Sequence, residues 1–294
     1  MKRKNVPVWS VFVLLAFFAA VCIFAADFAD NTIENNHSHL PEKADISGFI
    51  GETLVYTIQW DPPWYMFFLP KMDAGELTFK LRGIEEYREK PALNVVVEAR
   101  SSGTLTRLAN FNVEDEFLFY SDPETLCARG GMSKISEGKR RRLLELEYLQ
   151  DERGLLFRAT DESVTPPRLL RDIRKGDLPP CVYDPFTALY LYRTLPLTKG
   201  YVKNLTIGND DKVLEVRTKI ENQENVNTPA GKFKSWKIST NAMRGGLFRE
   251  SGDFYVWMAA DAPKAPVKFD VKVRFGRVVG ILKSVQDKNA GVRR

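Results

Sequence analysis

The sequence predicts a mainly β protein, a curved antiparallel sheet rolled into a barrel or half-barrel around one short central helix. Three observations carry this. Short segments alternate apolar and polar residues with a period of two, as strands with one buried face do. Gly, Pro, Asn and Asp separate them at close intervals, which joins neighbours antiparallel. One stretch, residues 183–197 (YDPFTALYLYRTLPL), breaks the alternation. There Asp184 is placed to cap a helix, and Pro185 falls at the first helical position, where its missing N–H costs nothing. Phe186, Leu189, Tyr190 and Arg193 recur at helical spacing, and Pro196 ends the run. A sheet of this kind must close, or cover its edges, to avoid pairing with other chains.

The 294 residues are 44% hydrophobic and 12% aromatic, enough to build a core and too apolar for a disordered chain. Lys2, Arg3 and Lys4 precede an uncharged, largely apolar run that ends at Ala25 and Ala26, the layout of a secretory signal. Removing its three basic residues takes the formal charge from +5 to +2. The basic balance is therefore mostly an export signal, and the remaining bases are interspersed with acids, which excludes a nucleic-acid partner. Two other outcomes share these residues. The run 6–26 is nearly long enough to remain as an inner-membrane anchor. Cys22 follows Ala19, Ala20 and Val21, a poor match to a lipoprotein cleavage site. Residues 27–48 read as a polar linker, which places the folded unit at 49–285 and a loose tail at 286–294.

Along the folded unit, Leu54, Tyr56, Ile58 and Trp60 alternate with Val55, Thr57 and Gln59 in a first strand, and strand resumes at Gly75. The connection between them carries Trp64, Tyr65, Met66, Phe67, Phe68 and Leu69, where a hairpin loop is normally polar. Two readings are open: the loop folds back to plug an end of the sheet, or it stands out as an apolar tip that touches lipid, a ligand or a partner. Strands follow at 92–101 and 111–120, with a helical turn or bend at 104–110. Gly130 and Gly131 suggest a tight hairpin within 127–132. Residues 139–148 alternate again, starting from the basic run Lys139 to Arg142, the solvated start of a strand rather than a phosphate patch. A hairpin then turns about Glu152, Arg153 and Gly154, and residues 160–180 read as a proline-rich loop into the helix.

After the helix, strands are expected at 202–207, 212–220, 233–241, 254–258, 267–275 and 276–284. The turns fall at 208–211, 229–231, Gly245–Gly246 and 261–266. The total is about ten to twelve strands.

The chemistry an enzyme needs is missing. No serine lies in G-x-S-x-G, and no glycine-rich phosphate loop occurs. Asp115 and Glu116 sit on ordinary strand positions, and Glu145 and Glu147, which share one face of a strand, are better read as solvated charge. The two histidines, His37 and His39, lie in the linker, and with no C-x-x-C they assemble no zinc site. No cofactor is expected. Cys127 and Cys181 remain once the leader is gone. Export permits them to pair, and two separate buried thiols is the alternative. Asp184 has a cap to serve. Arg193 either binds an anion or offsets the helix dipole and pairs with an acid, the latter being preferred.

Three stretches together resemble one bacterial exported family, domain of unknown function 3108. They are Gly51-Glu52-Thr53-Leu54-Val55-Tyr56 with Trp60, Gly75 and Glu76; Asp184-Pro185-Phe186-Thr187-Ala188-Leu189-Tyr190 with Arg193, Pro196, Leu197 and Gly200; and Thr228-Pro229-Ala230-Gly231-Lys232-Phe233 with Trp257, Asp261, Pro266, Val267 and Gly276. The loop at 61–71 is longer and more apolar than the family pattern. The resemblance implies an exported, periplasmic, curved β protein. By analogy of fold it is similar to the envelope carriers that shuttle lipoproteins. The expected function is non-enzymatic binding of an apolar ligand or lipid-bearing partner in a barrel cavity, with Trp64, Tyr65, Phe67, Phe68 and Leu69 at its mouth. The alternative is an envelope interaction or scaffold protein whose core is filled, with Trp236, Trp257 and Phe269 as the residues that would fill it.

Overall fold

The computed structural model describes residues 43–103, 106–107, 111–240, 254–273, 276–287 and 291–293. The leader with its anchor and Cys22, the histidines, the linker up to residue 42 and the Gly245–Gly246 turn lie outside the described residues.

Eight strands precede the helix: β1 (Glu52–Asp61), β2 (Met72–Tyr87), β3 (Lys90–Ser101), β4 (Glu114–Ser121), β5 (Ala128–Glu137), β6 (Arg140–Leu149), β7 (Gly154–Asp161) and β8 (Arg168–Lys175). The helix is α1 (Thr187–Thr194). Seven strands follow: β9 (Val202–Asn209), β10 (Lys212–Thr228), β11 (Gly231–Thr240), β12 (Phe254–Ala259), β13 (Pro266–Val273), β14 (Gly276–Asp287) and β15 (Gly291–Arg293). They form one sheet in the order β8-β7-β6-β5-β4-β3-β2-β1-β14-β13-β12-β11-β10-β9, with β15 beside β14. All the ladders between strands are antiparallel, and β1 pairs with β14 to join the two halves of the chain.

The period-two reading holds where it was clearest: Leu54, Tyr56, Ile58 and Trp60 are all buried. Four expectations are corrected. The strands number fifteen among the described residues. Residues 168–175, read as loop, are β8, an edge strand whose charged side chains face water. Gly130 and Gly131 do not turn the chain. They lie inside β5, where a Cβ on Gly131 would stand 2.5 Å from the carbonyl oxygen of Leu118. Finally, two short pieces read as linker and tail belong to the fold. Ala44 and Ile46 are buried in the core, and Gly291–Arg293, read as loose tail, pairs with β14.

The curved sheet is not closed by a ladder, since β8 and β9 are its two free edges. The segment before α1 covers the gap. Tyr183 lies parallel to β9, donating its N–H to Thr206 O and accepting from Gly208 N, each at 2.8 Å. One residue earlier, Val182 O accepts from Ala128 N of β5 at 2.7 Å. Cys127 and Cys181 are joined at this crossing, their Cα atoms 5.2 Å apart, within the span a bridge requires. The β9 edge is thus tied to the start of β5 by one covalent and three hydrogen bonds.

From this seam the chain enters the concave side as α1. Phe186 drives the packing, with ring centroids 5.2 Å from Phe119 and 5.3 Å from Phe79, inside the range of favourable aromatic pairs. Ala188, Tyr190, Leu191 and Tyr192 are buried. Leu195 is extended, as the residue before a proline must be.

Candidate functional site

The tip between β1 and β2 is built to hold apolar side chains outward. Pro63 is fixed in an extended conformation ahead of a 3₁₀ turn, Trp64–Met66. Met66 N donates to Pro63 O and Leu69 N to Met66 O, each at 2.8 Å. An ion pair between Lys71 and Asp61, 2.8 Å, clips the base. Met66 and Leu69 pack against the core, while Trp64, Tyr65, Phe67 and Phe68 are 86%, 48%, 87% and 70% exposed. The rings pair edge-on, Trp64 with Tyr65 and Phe67 with Phe68. The plug reading is therefore overturned for these four. Of the six apolar residues of the loop, only Met66 and Leu69 turn in. Each large apolar side chain left in water forgoes about 1.5–3 kcal/mol.

The helix is held by polar contacts inside the sheet. Asp184 Oδ1 accepts from the N–H groups of Phe186 (3.0 Å) and Thr187 (2.8 Å), and Oδ2 from Ser121 Oγ (3.1 Å). Asp184 O takes the first helical bond, from Ala188 N at 3.1 Å. The expected capping role stands, one turn ahead of the first regular residue. Burial still raises the Asp184 pKa, against the pull of these donors. Arg193 forms a two-point ion pair with buried Glu52, donates to Pro263 O at 3.1 Å and lies 3.9 Å from the Phe49 ring centroid. Of the two readings of Arg193, the acid pair is the one observed. Tyr190 packs on Phe49, and burial raises its pKa. In the sequence Glu52 stands out only as part of the opening family motif, yet its phase with Leu54 and Tyr56 on β1 points it inward.

Among the described residues the interior leaves little room beneath the helix. Beneath α1 lies an apolar cavity of about 80 Å³, walled by Leu189, Tyr192, Leu205, Ile207, Val216 and Val256. That is roughly half the ~150 Å³ that accepts benzene and far below the ~300 Å³ at which small-molecule pockets begin. Of the three residues expected to fill the barrel, Trp236 and Phe269 pack on the core and Phe269 meets Tyr56. Trp257 is buried in the same cluster, donating to Glu224, with Lys237 and Lys268 over its ring.

Among the described residues no group of His, Cys, Asp or Glu could hold a metal ion. Arg140 and Arg141 are exposed at the β5–β6 turn, with Arg140 paired to Glu137. Glu147 meets Arg88 on the outer face, and Asp115 is buried and accepts from Ser136 N. Among the described residues no helix is long and apolar enough to cross a membrane.

The family of proteins of unknown function DUF3108 matches residues 55–283, most of the folded unit. The chain belongs to this family. The DUF3108 match covers the tip, the seam and α1 together. In structure the chain is similar to a β-barrel-like protein of the domain of unknown function DUF1849 from Brucella abortus, at a TM-score of 0.52 and 8% identity, covering 81% of this chain and 98% of that one. This likeness shows the fold alone. Weaker similarities reach a protein from Bacteroides fragilis described as exported with a YmcC-like fold (TM-score 0.28, 12% identity, 81% and 96% covered) and one from Parabacteroides distasonis described as a lipoprotein (0.27, 11%, 81% and 95%). No curated protein matches this DUF3108 chain.

Proposed function

We propose that this chain is a non-enzymatic protein of the bacterial cell envelope that engages a lipid surface through Trp64, Tyr65, Phe67 and Phe68. One observation carries the reading: four aromatic side chains stand exposed on a single turn braced by Met66, Leu69 and the Lys71–Asp61 pair. Trp and Tyr suit a lipid–water boundary because each has an apolar body and a polar edge. The envelope location is supported by the basic and apolar leader and by the Cys127–Cys181 bridge, which persists in oxidising compartments. The narrow interior favours contact at the tip over carriage of an acyl chain within the sheet. Sedimentation with vesicles of phosphatidylethanolamine and phosphatidylglycerol tests it: the protein should pellet with them, and Phe67→Ser/Phe68→Ser should remain in the supernatant. Wild-type protein that stays unbound, yet captures an envelope protein through the same rings, would favour the scaffold reading that a filled core also suits.

A further inference from the structure

A second pocket, unrelated to the tip, lies where the β9–β10 turn and the segment before α1 face the inner wall of β4 to β7. It is a cavity of about 40 Å³. Phe117, Phe119, Phe157 and Phe186 line it. So do the polar residues Tyr148, Asp184, Asn209 and Asp210. Tyr148 is 8% exposed, and its hydroxyl has no hydrogen-bond partner. The side-chain nitrogen of Asn209 is likewise buried and unpartnered. The backbone makes space for that hydroxyl. A Cβ on Gly208 would fall 1.8 Å from Tyr148 Oη, so this position must be glycine while the oxygen is present. A phenylalanine at 148 would pack as well without stranding a polar atom, and buried polar atoms without partners are rare.

The charge balance narrows the class of ligand. Both ionisable side chains besides Tyr148 that line the cavity are acids, and no Lys, Arg or His lines it. Arg171 and Lys175 are held by Asp211, next to the pocket rather than in it. Asp184 already accepts three hydrogen bonds, which engages both of its oxygens. Burial, and then the neighbouring Asp211, push the Asp210 carboxyl up to about 7, against the weaker opposing pull of Arg171 and Lys212.

We infer that this pocket binds a primary ammonium group, with Asp210 and Tyr148 Oη as acceptors and the aromatic rings as its apolar wall. The amide of Asn209, turned over, supplies a third acceptor, since its two ends exchange by a half-turn. An –NH₃⁺ has three donors and about the volume of one water, ~30 Å³. A quaternary ammonium is too large, and an aromatic wall favours a cation over a neutral group of equal size. The amine belongs either to a free small molecule or to a lipid headgroup.

Titration calorimetry of the intact folded protein at pH 8 and constant ionic strength tests this, with ethanolamine as probe and ethylene glycol and tetramethylammonium as controls. Ethanolamine should bind saturably and the controls should not. Asp210→Asn should weaken binding by ~10-fold or more, as loss of a charge-assisted hydrogen bond does. Tyr148→Phe keeps the ring and removes only the unpartnered oxygen, so it should weaken binding without unfolding the chain. No saturable ethanolamine binding, equal binding of ethylene glycol, or unchanged affinity in both variants would overturn the inference. If phosphatidylethanolamine vesicles displace ethanolamine and phosphatidylglycerol vesicles do not, the amine is that of a headgroup; if neither does, it is a free amine. Phe67→Ser/Phe68→Ser should leave ethanolamine binding unchanged, which keeps this test separate from that of the tip.

Discussion

Arg193 and Glu52 lie 141 positions apart in the chain and meet inside the sheet, both Arg193 terminal nitrogens on the two Glu52 carboxylate oxygens. The side chains are 1% and 7% exposed, so neither charge has water to fall back on. Removing one partner leaves the other buried and unpaired, which costs about 3–5 kcal/mol. Arg193→Met should therefore lower the urea midpoint by that equivalent. The double change Arg193→Met/Glu52→Leu should recover much of it. Equal losses in the single and double variants would mean that packing, not charge, holds α1 to β1.

The bridge between Cys127 and Cys181 spans a sequence separation of 54 and ties the segment before α1 to the start of β5. Cross-links over loops of this length stabilise by roughly 2–5 kcal/mol. Cys127→Ser/Cys181→Ser should lower the melting temperature accordingly. Amide exchange should quicken first at Tyr183 and Gly208, whose hydrogen bonds cross the seam. A uniform rise in exchange across the sheet would instead show that the seam opens only with global unfolding.

Much of the architecture was legible because period-two alternation and cap-and-stop signals are local. β1 and α1 show this, and the Arg193–acid pair follows from the helix alone. β8 was not legible: R-L-L-R-D-I-R-K puts charge on both faces, as an edge strand in water can, so no alternation survives. The composition of the tip was legible but its direction was not, because apolarity does not tell which side chains turn in. The ammonium pocket was invisible for another reason. Tyr148, Asp184 and Asp210 come from three separate segments, and Asp210 alone reads as turn chemistry.

Asp210 makes stability depend on pH. Its pKa rises from 3.8 to about 7 in the folded chain, through burial and then Asp211. Arg171 and Lys212 oppose the shift, while Asp184 and Tyr148 face the same cavity. The folded state holds this proton more tightly than the unfolded state. The associated stability is complete below about pH 4 and is lost as pH rises through 7. Asp210→Asn removes the titrating group and suits the positive φ of 49°. The variant should melt with wild type at pH 4 and above it at pH 8, by at most ~4 kcal/mol. Thermal melts across that range check it, and a pH-independent difference would refute the assignment.

The tip separates binding from stability residue by residue. Phe67 and Phe68 are 87% and 70% exposed, so replacing both with Ser removes no core contact. Surface changes of this kind stay within about ±0.5 kcal/mol, and the melting temperature should not fall. Met66 and Leu69 pack on the core, so Met66→Ser or Leu69→Ser should cost on the order of 1–3 kcal/mol. Vesicle sedimentation should show the opposite order, with Phe67→Ser/Phe68→Ser losing most binding while Met66→Ser retains it below its melting point. Removing anionic lipid should weaken binding only modestly, because Lys71 is engaged with Asp61 and the rings supply most of the contact. Should Phe67→Ser/Phe68→Ser melt earlier and still bind vesicles, those rings would be serving the fold rather than a lipid surface.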